Sequence, residues 1–288
     1  MIENSDKYNV AGPKARLGHA INPVAMMTEL WSQHSLIFQF TRREIEGRYR
    51  GSYLGLLWSF ITPLVMLSVY TFVFGVIFKA RWPEAHGGGL TGFAFIMCAG
   101  QIAFQLVAEP VGKASGLITG VPNFVKKVVF PLQILPLSVV GASAFHGFIA
   151  IVILAIALLM VNGGLPWTFM LFPLAFLPLL LIGIGLSWFI SSLGVFMRDI
   201  GFVVGVALQA LFFATPIFYP LSAVPEDFRP WMVLNPLLTG VELMRGCLVT
   251  GNLPGWMTWL MAYVLGLVVA QFGYAWFSIT RRGFADVV

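Results

Sequence analysis

Apolar residues run along this chain in long unbroken stretches, and charged residues are confined to the gaps between them. Five stretches contain no Asp, Glu, Lys or Arg: Gly51 to Phe78, Ala85 to Ala108, Val128 to Met197, Ile200 to Pro225 and Gly246 to Thr280. A helix crossing the hydrocarbon core of a bilayer needs about 20 such residues. The third stretch is too long for one crossing, and Asn162-Gly163-Gly164-Leu165-Pro166 in its interior is a turn signal followed by Trp167, an interface residue. The pattern therefore predicts six spans, at about Leu54–Phe78, Gly92–Val111, Phe130–Val161, Trp167–Met197, Gly201–Tyr219 and Trp256–Ile279.

The segments outside the spans differ in kind. Residues 1–22 show no periodicity and read as a loosely ordered tail. From Val24 to Glu46, Met27, Leu30, Trp31, His34, Ile37, Phe38, Thr41 and Ile45 share one helical face opposite Glu29, Gln33, Arg43 and Glu46, the pattern of an amphipathic helix lying on a membrane surface. Leu36 and Phe40 fall on its wet face, where a surface helix has no use for them, and are assigned to contact with a cytosolic partner. The chain thus divides into residues 1–50, a tail and interface helix, and residues 51–288, the spans. A loop at about 112–129 carries Lys113, Lys126 and Lys127, and a segment at about 221–255 holds apolar pieces too short to cross. Pieces of that length suit re-entrant helices, which exist at membrane depth only when buried in protein or lining a cavity.

Composition agrees with this class: 58% hydrophobic residues, 10% charged and a mean hydropathy of +0.86 leave too little polar surface for a soluble globule. No cleavable signal peptide is visible, so the first span is expected to act as the insertion signal. Of the 17 Lys and Arg, all but Lys79, Arg81, Arg229 and Arg245 fall on one side of a six-span topology, which places both termini in the cytoplasm. The net charge of +5 then reflects topology and anionic headgroups rather than nucleic acid.

Missing chemistry narrows the function. There is no G-x-x-x-x-G-K-[ST] loop to hold a nucleotide, and no H-E-x-x-H, G-x-S-x-G or membrane-accessible carboxylate pair to act as an enzyme. The apolar cores of the spans lack the Asp, Glu or Arg that ion-coupled carriers use. His146 is the one titratable group deep in a span and reads as a packed polar residue, with Glu109 near an inner end; Cys98 and Cys247 suggest neither a disulfide nor a metal site. If the protein drives uphill transport, the work must come from another subunit. Among 26 Phe, 9 Trp and 7 Tyr, most serve lipid and interface; Tyr70, Phe74, Phe213 and Tyr219 are the candidates for lining a conduit, where flat rings stack on sugars.

Several short elements carry a family resemblance: Arg42-Arg43-Glu44-Ile45, then Arg48-Tyr49-Arg50-Gly51-Ser52-Tyr53-Leu54-Gly55-Leu56-Leu57-Trp58 with Pro63; Lys126-Lys127-Val128-Val129-Phe130-Pro131 with Leu135-Pro136; Arg198-Asp199-Ile200; Pro216-Ile217-Phe218-Tyr219-Pro220; and Asn235-Pro236 followed by Arg245 and Gly251. In order and spacing they resemble the ABC-2 type permeases that export polysaccharides, over residues 30–282. The resemblance implies an all-α integral membrane subunit with six transmembrane helices, an interface helix and short re-entrant outer helices between spans 5 and 6. It implies a homodimer working with two copies of a cytosolic ATP-binding subunit, with Mg-ATP bound there and no cofactor in this chain. The expected cargo is a lipid-linked polysaccharide of the capsule, O-antigen or teichoic acid type, crossing the bacterial inner membrane, with room for an outer-envelope export partner. On this reading Arg42, Arg43, Arg48 and Arg50 meet the lipid phosphate; Leu36, Phe40, Lys113, Lys126 and Lys127 couple to the ATPase; and Asn235, Pro236, Glu242 and Arg245 belong to an outer gate. ATP binding would push the coupling elements and part the first and fifth spans of two subunits. The rival readings are a small-molecule or drug exporter on the same scaffold, an ion-coupled carrier or channel, and a glycolipid enzyme.

Overall fold

A computed structural model describes residues 22–77, 90–126, 130–232 and 235–288, with Phe74 and Leu90 described by backbone alone. The expected tail and Lys127 lie outside the described residues. Every regular element within them is helical. Asn22 opens the first helix, α1 (Pro23–Ser32), accepting the Val24 amide at 2.9 Å while Pro23 supplies the first turn. The single amphipathic helix expected from Val24 to Glu46 is in fact two, because Gln33 leaves helical geometry (φ −105°, ψ 9°) before α2 (His34–Tyr49) begins. α2 packs along α5 (Ile134–Asn162), where Gly141 admits Thr41: a Cβ at Gly141 would stand 2.7 Å from the Thr41 hydroxyl.

An elbow follows at Gly51, whose φ of 84° is cheap only for glycine, and redirects the chain into α3 (Gly55–Ile77). α3 is irregular, opening as a 3₁₀ turn, carrying Pro63 in its interior and widening into a π turn over Thr71–Ile77. α4 (Leu90–Ala114) is the centre of the bundle; 78% of its apolar window is buried, against 33% or less in the other long helices, so it meets protein on nearly all sides. α5 stops at Asn162 with Gly163 left-handed at φ 72°, at the turn the sequence marks. α6 (Trp167–Phe196) and α9 (Trp256–Thr280) form the most extensive helix pair. Their backbones touch: a Cβ on Gly273 would lie 2.0 Å from the Gly185 carbonyl oxygen, and one on Gly185 would lie 2.2 Å from that of Val269. Helices in lipid gain their attraction from such close van der Waals contact.

Among the described residues, five helices are long and apolar enough to cross a membrane: α3, α4, α5, α6 and the one that begins at Trp256. The expected span Gly201–Tyr219 is shorter than the sequence suggests: α7 (Ile200–Ala214) has 15 residues, roughly 22 Å against a core of about 30 Å. Its end has a local cause. Pro216 forces Thr215 into extended geometry (φ −84°, ψ 132°), and the Thr215 hydroxyl takes the Leu211 carbonyl at 2.6 Å. Beyond it, α8 (Leu238–Arg245) runs into a π turn to Thr250, and both are buried against α4 and α6.

The end of the bundle that carries Arg48, Lys113 and Arg281, here the basic end, has its own apolar core of Met26, Leu132, Trp188, Tyr274, Phe277 and Phe284. A polar knot locks it. Buried Gln133 donates from Nε2 to Glu29 (2.6 Å), accepts on Oε1 from Arg281 (2.7 Å), and its carbonyl accepts the Trp188 indole N–H (3.0 Å). The Tyr274 hydroxyl completes Glu29 at 2.5 Å. α1 is thereby tied to α5, α6 and α9, whereas α2, beyond the break, is tied to α4.

Candidate functional site

The ties between α2 and α4 make a charged cluster. Arg48, one residue from the end of α2, donates through Nη1 to the Glu109 carboxylate on α4 and, at 3.0 Å, to Nδ1 of His146 on α5. The same Nδ1 lies 3.5 Å from the Glu109 carboxylate, and Nε2 faces the Tyr49 hydroxyl at 3.1 Å. Lys113, one turn from Glu109, stands 3.4 Å from the same carboxylate and 3.0 Å from Glu44. Glu109 and His146 keep only 14% of their side-chain surface exposed, while Arg48 keeps 41%. The carboxylate is thus held by two cations in a shielded place, which keeps it charged and fixed. Burial pushes the Tyr49 phenol up, so it remains a neutral partner at ordinary pH.

This cluster closes the basic end of a cavity of about 220 Å³ between α3, α4 and α5. One wall is a stripe on α4 with a polar residue every fourth position, Gln101, Gln105 and Glu109, continued by Lys113 below. Thr62, Pro63, Leu67 and Tyr70 of α3 form the facing wall. The arrangement can hold an anion at Arg48 with a less polar body behind it.

The other expected phosphate contacts lie elsewhere. Arg42 is exposed and paired with Glu46 at 2.7 Å, Arg43 sits 5.9 Å from the centre of the Phe40 ring, and Arg50 is exposed in the elbow. Of the residues assigned to coupling, Phe40 packs within the chain, 5.1 Å from Phe130 and 6.1 Å from Phe124, which stack on each other at 4.8 Å. This fastens α2 to the loop that carries Lys126; Leu36 and Lys126 are exposed, and Lys113 is engaged by Glu44 and Glu109. Among the conduit aromatics, Tyr70 meets Phe218 and Phe212 (5.5 and 6.5 Å), Phe104 joins Phe212 at 5.1 Å, Phe213 is exposed, and the Tyr219 hydroxyl donates to the Phe213 carbonyl. Nothing is described of the Phe74 side chain.

At the far end, the residues expected at a gate converge. Asn235 donates to Thr215 Oγ1 at 2.8 Å and caps the Leu237 amide at 2.9 Å, with Pro236 half-buried beside it. Arg245, 2% exposed, donates to the carbonyls of Ile217 (2.9 Å) and Ile96 (3.4 Å) and to Glu242 (2.9 Å). Gly100 makes room for it, since a Cβ there would lie 2.9 Å from Nη2. Replacing Arg245 by leucine leaves buried carbonyls without donors and is expected to cost about 3 kcal/mol. The check is a lower thermal unfolding midpoint of the detergent-purified protein, partly recovered by lysine at that position.

Sequence reasoning missed Glu29, Gln133, Tyr274 and Arg281, and the part that Gln101, Gln105 and Tyr49 play. For the α4 residues the readable signal was polar side chains at four-residue spacing inside an apolar helix. The Gln133 knot joins positions more than 100 residues apart and has no local signature.

The profile of the family described as "ABC-2 type transporter" matches residues 35–249. The O-antigen export system permease protein RfbA of Myxococcus xanthus is 29% identical over 268 residues, covering 92% of this chain and 100% of that protein. RfbA of Klebsiella pneumoniae is 25% identical over 268 residues (92% and 99%). The polysialic acid transport protein KpsM of Escherichia coli is 22% identical over 216 residues (73% and 79%).

Proposed function

The chain belongs to the ABC-2 type transporter family, and from that premise we propose that it is the membrane subunit of an ATP-binding cassette exporter that moves a lipid-linked polysaccharide from the cytoplasmic to the outer side of the bacterial inner membrane. The names of its relatives, O-antigen export permeases, a polysialic acid transport protein and a capsule polysaccharide export protein, support the cargo. The observation that carries the reading is Arg48, held by a shielded carboxylate at the mouth of a cavity between apolar helices.

On this reading the basic end faces the cytoplasm, as positive charge dictates, and both termini lie there. α7 is the fifth of six spans, continued by the irregular but buried Thr215–Phe218, a conformation tolerated at membrane depth inside protein. The α8 segment then re-enters from the outer side, and Asn235, Pro236, Glu242 and Arg245 brace it against the end of α7. Two copies of the chain pair with two copies of a cytosolic ATPase that binds Mg-ATP, since this chain has no phosphate-cradling loop. The exposed Leu36 and Lys126 are the docking points, joined by Lys127, the next residue in sequence, and the Phe40, Phe124 and Phe130 stack lies behind Lys126 and Leu36. A push there reaches α4 through Glu44 and Lys113, and reaches Glu109 through Arg48. The lipid phosphate binds first at Arg48, with Arg42, Arg43 and Arg50 drawing it to the surface; Tyr70, Phe74, Phe213 and Tyr219 flank the later path.

The test is reconstitution with a candidate ATP-binding partner subunit. ATP turnover in the liposomes should rise with lipid-linked glycan, and glycan should appear on the far side only when ATP and both subunits are present. Accumulation of a solute by this chain alone, driven by an ion gradient, would overturn the assignment.

A further inference from the structure

One polar group in the cavity is unused by the cluster and by the packing. Gln101 lines the cavity, and its Oε1 has no hydrogen-bond partner among the described residues, although that oxygen is covered as the side chain now stands. An amide acceptor left unpaired between membrane helices is costly, and a hydroxyl-bearing ligand in the cavity can complete it once the amide turns toward it. Gln101 lies eight residues from Glu109 on α4, roughly 12 Å up the helix from the place where Arg48 presents its charge. Between them are Gln105 and the Thr62 hydroxyl, and the Trp58 and Tyr70 side chains add aromatic rings. Ser143 is already engaged, donating to the carbonyls of Gln105 and Leu106.

The site therefore offers a guanidinium at one end, amide and hydroxyl groups beyond it, and aromatic rings on which a flat face can stack. Its complement is an anion followed directly by a hydroxyl-rich ring. The cavity of about 220 Å³ is large enough to admit a sugar ring. We propose that this cavity, within a single subunit, binds the first sugar attached to the lipid phosphate: Arg48 takes the phosphate, while Gln101, Gln105 and Thr62 take the sugar hydroxyls. The proposal rests on the exporter reading above and adds to it a place where the glycan's reducing-end sugar is selected.

The test uses the complex of this chain with its ATPase in lipid nanodiscs and three probes: a polyprenyl diphosphate, the same lipid bearing one N-acetylhexosamine, and the soluble sugar phosphate. The wild type should bind the sugar-bearing lipid about tenfold more tightly than the bare lipid. Gln101→Leu should bring the two affinities together without weakening the bare lipid, which also shows that the variant is folded, and Thr62→Val should narrow the gap in the same direction. A preference that survives both substitutions overturns the sugar site while leaving the exporter reading intact. Failure of the wild type to bind either lipid removes both. Binding of the soluble sugar phosphate with the same dependence on Gln101 supports the site and shows that the headgroup alone is read.

Discussion

Gly273→Leu is expected to leave almost no correctly packed protein. The Cβ alone would stand 2.0 Å from the Gly185 carbonyl oxygen, and that oxygen belongs to rigid helical backbone, so no side-chain rotation can relieve the clash. The helices α6 and α9 would have to separate by more than an ångström along their most extensive contact. Gly266 shares the seam, its own Cβ position lying 3.0 Å from the Pro178 carbonyl oxygen. In lipid the separated faces gain nothing from leaving water, so lost dispersion contacts are not replaced. A loss of more than about 4 kcal/mol is expected, in the range reserved for steric disruption of a packed interior. The polar knot would follow, because Tyr274, next in sequence, could no longer reach Glu29. The measurement is the yield of monodisperse protein after detergent extraction. Gly164→Ala, at a position with no neighbour within 4 Å, is the control and should match the wild type.

The Gly273 seam also shows what hydropathy leaves unread. Long apolar runs mark where α3, α4, α5, α6 and α9 lie, because crossing length and absence of charge are local properties. Which face of each helix meets which neighbour is not local. The end of α7 at Ala214 depends on Pro216 acting on Thr215, and a window that averages over Ile200–Pro225 passes over it. The break at Gln33 was equally hidden, since the amphipathic phase of α1 and α2 is nearly continuous across it. For the candidate site, the arginine-rich end of α2 and the isolated His146 were both visible, and His146 is indeed bonded to a neighbouring helix. What could not be read was that positions 48, 109 and 146 meet. That selection separates Arg48 from Arg42, Arg43 and Arg50, which look alike in sequence and differ completely in surroundings.

Arg48→Gln is expected to lower export at least tenfold while the complex still assembles. A charge-assisted hydrogen bond to a phosphate contributes about 1.5–3 kcal/mol, which corresponds to a factor of roughly ten to a hundred in affinity. The fold should survive, because Glu109 retains Lys113 at 3.4 Å. A loss of export alone would have two explanations: Arg48 binds substrate, or it merely neutralises Glu109. The double variant separates them. In Arg48→Gln with Glu109→Gln the carboxylate that has lost one of its two cations is gone, so a purely neutralising arginine becomes dispensable and export should return. If Arg48 is the phosphate contact, the double variant stays as inactive as Arg48→Gln. Glu109→Gln alone then completes the cycle: it weakens the resting hold on Arg48, so substrate phosphate has less to displace, and half-maximal stimulation of ATP turnover should shift to a lower lipid-linked glycan concentration. Arg48 is therefore expected to behave as an exchanged partner, held by Glu109 at rest and by phosphate in transport, and recovery of export in the double variant would refute this.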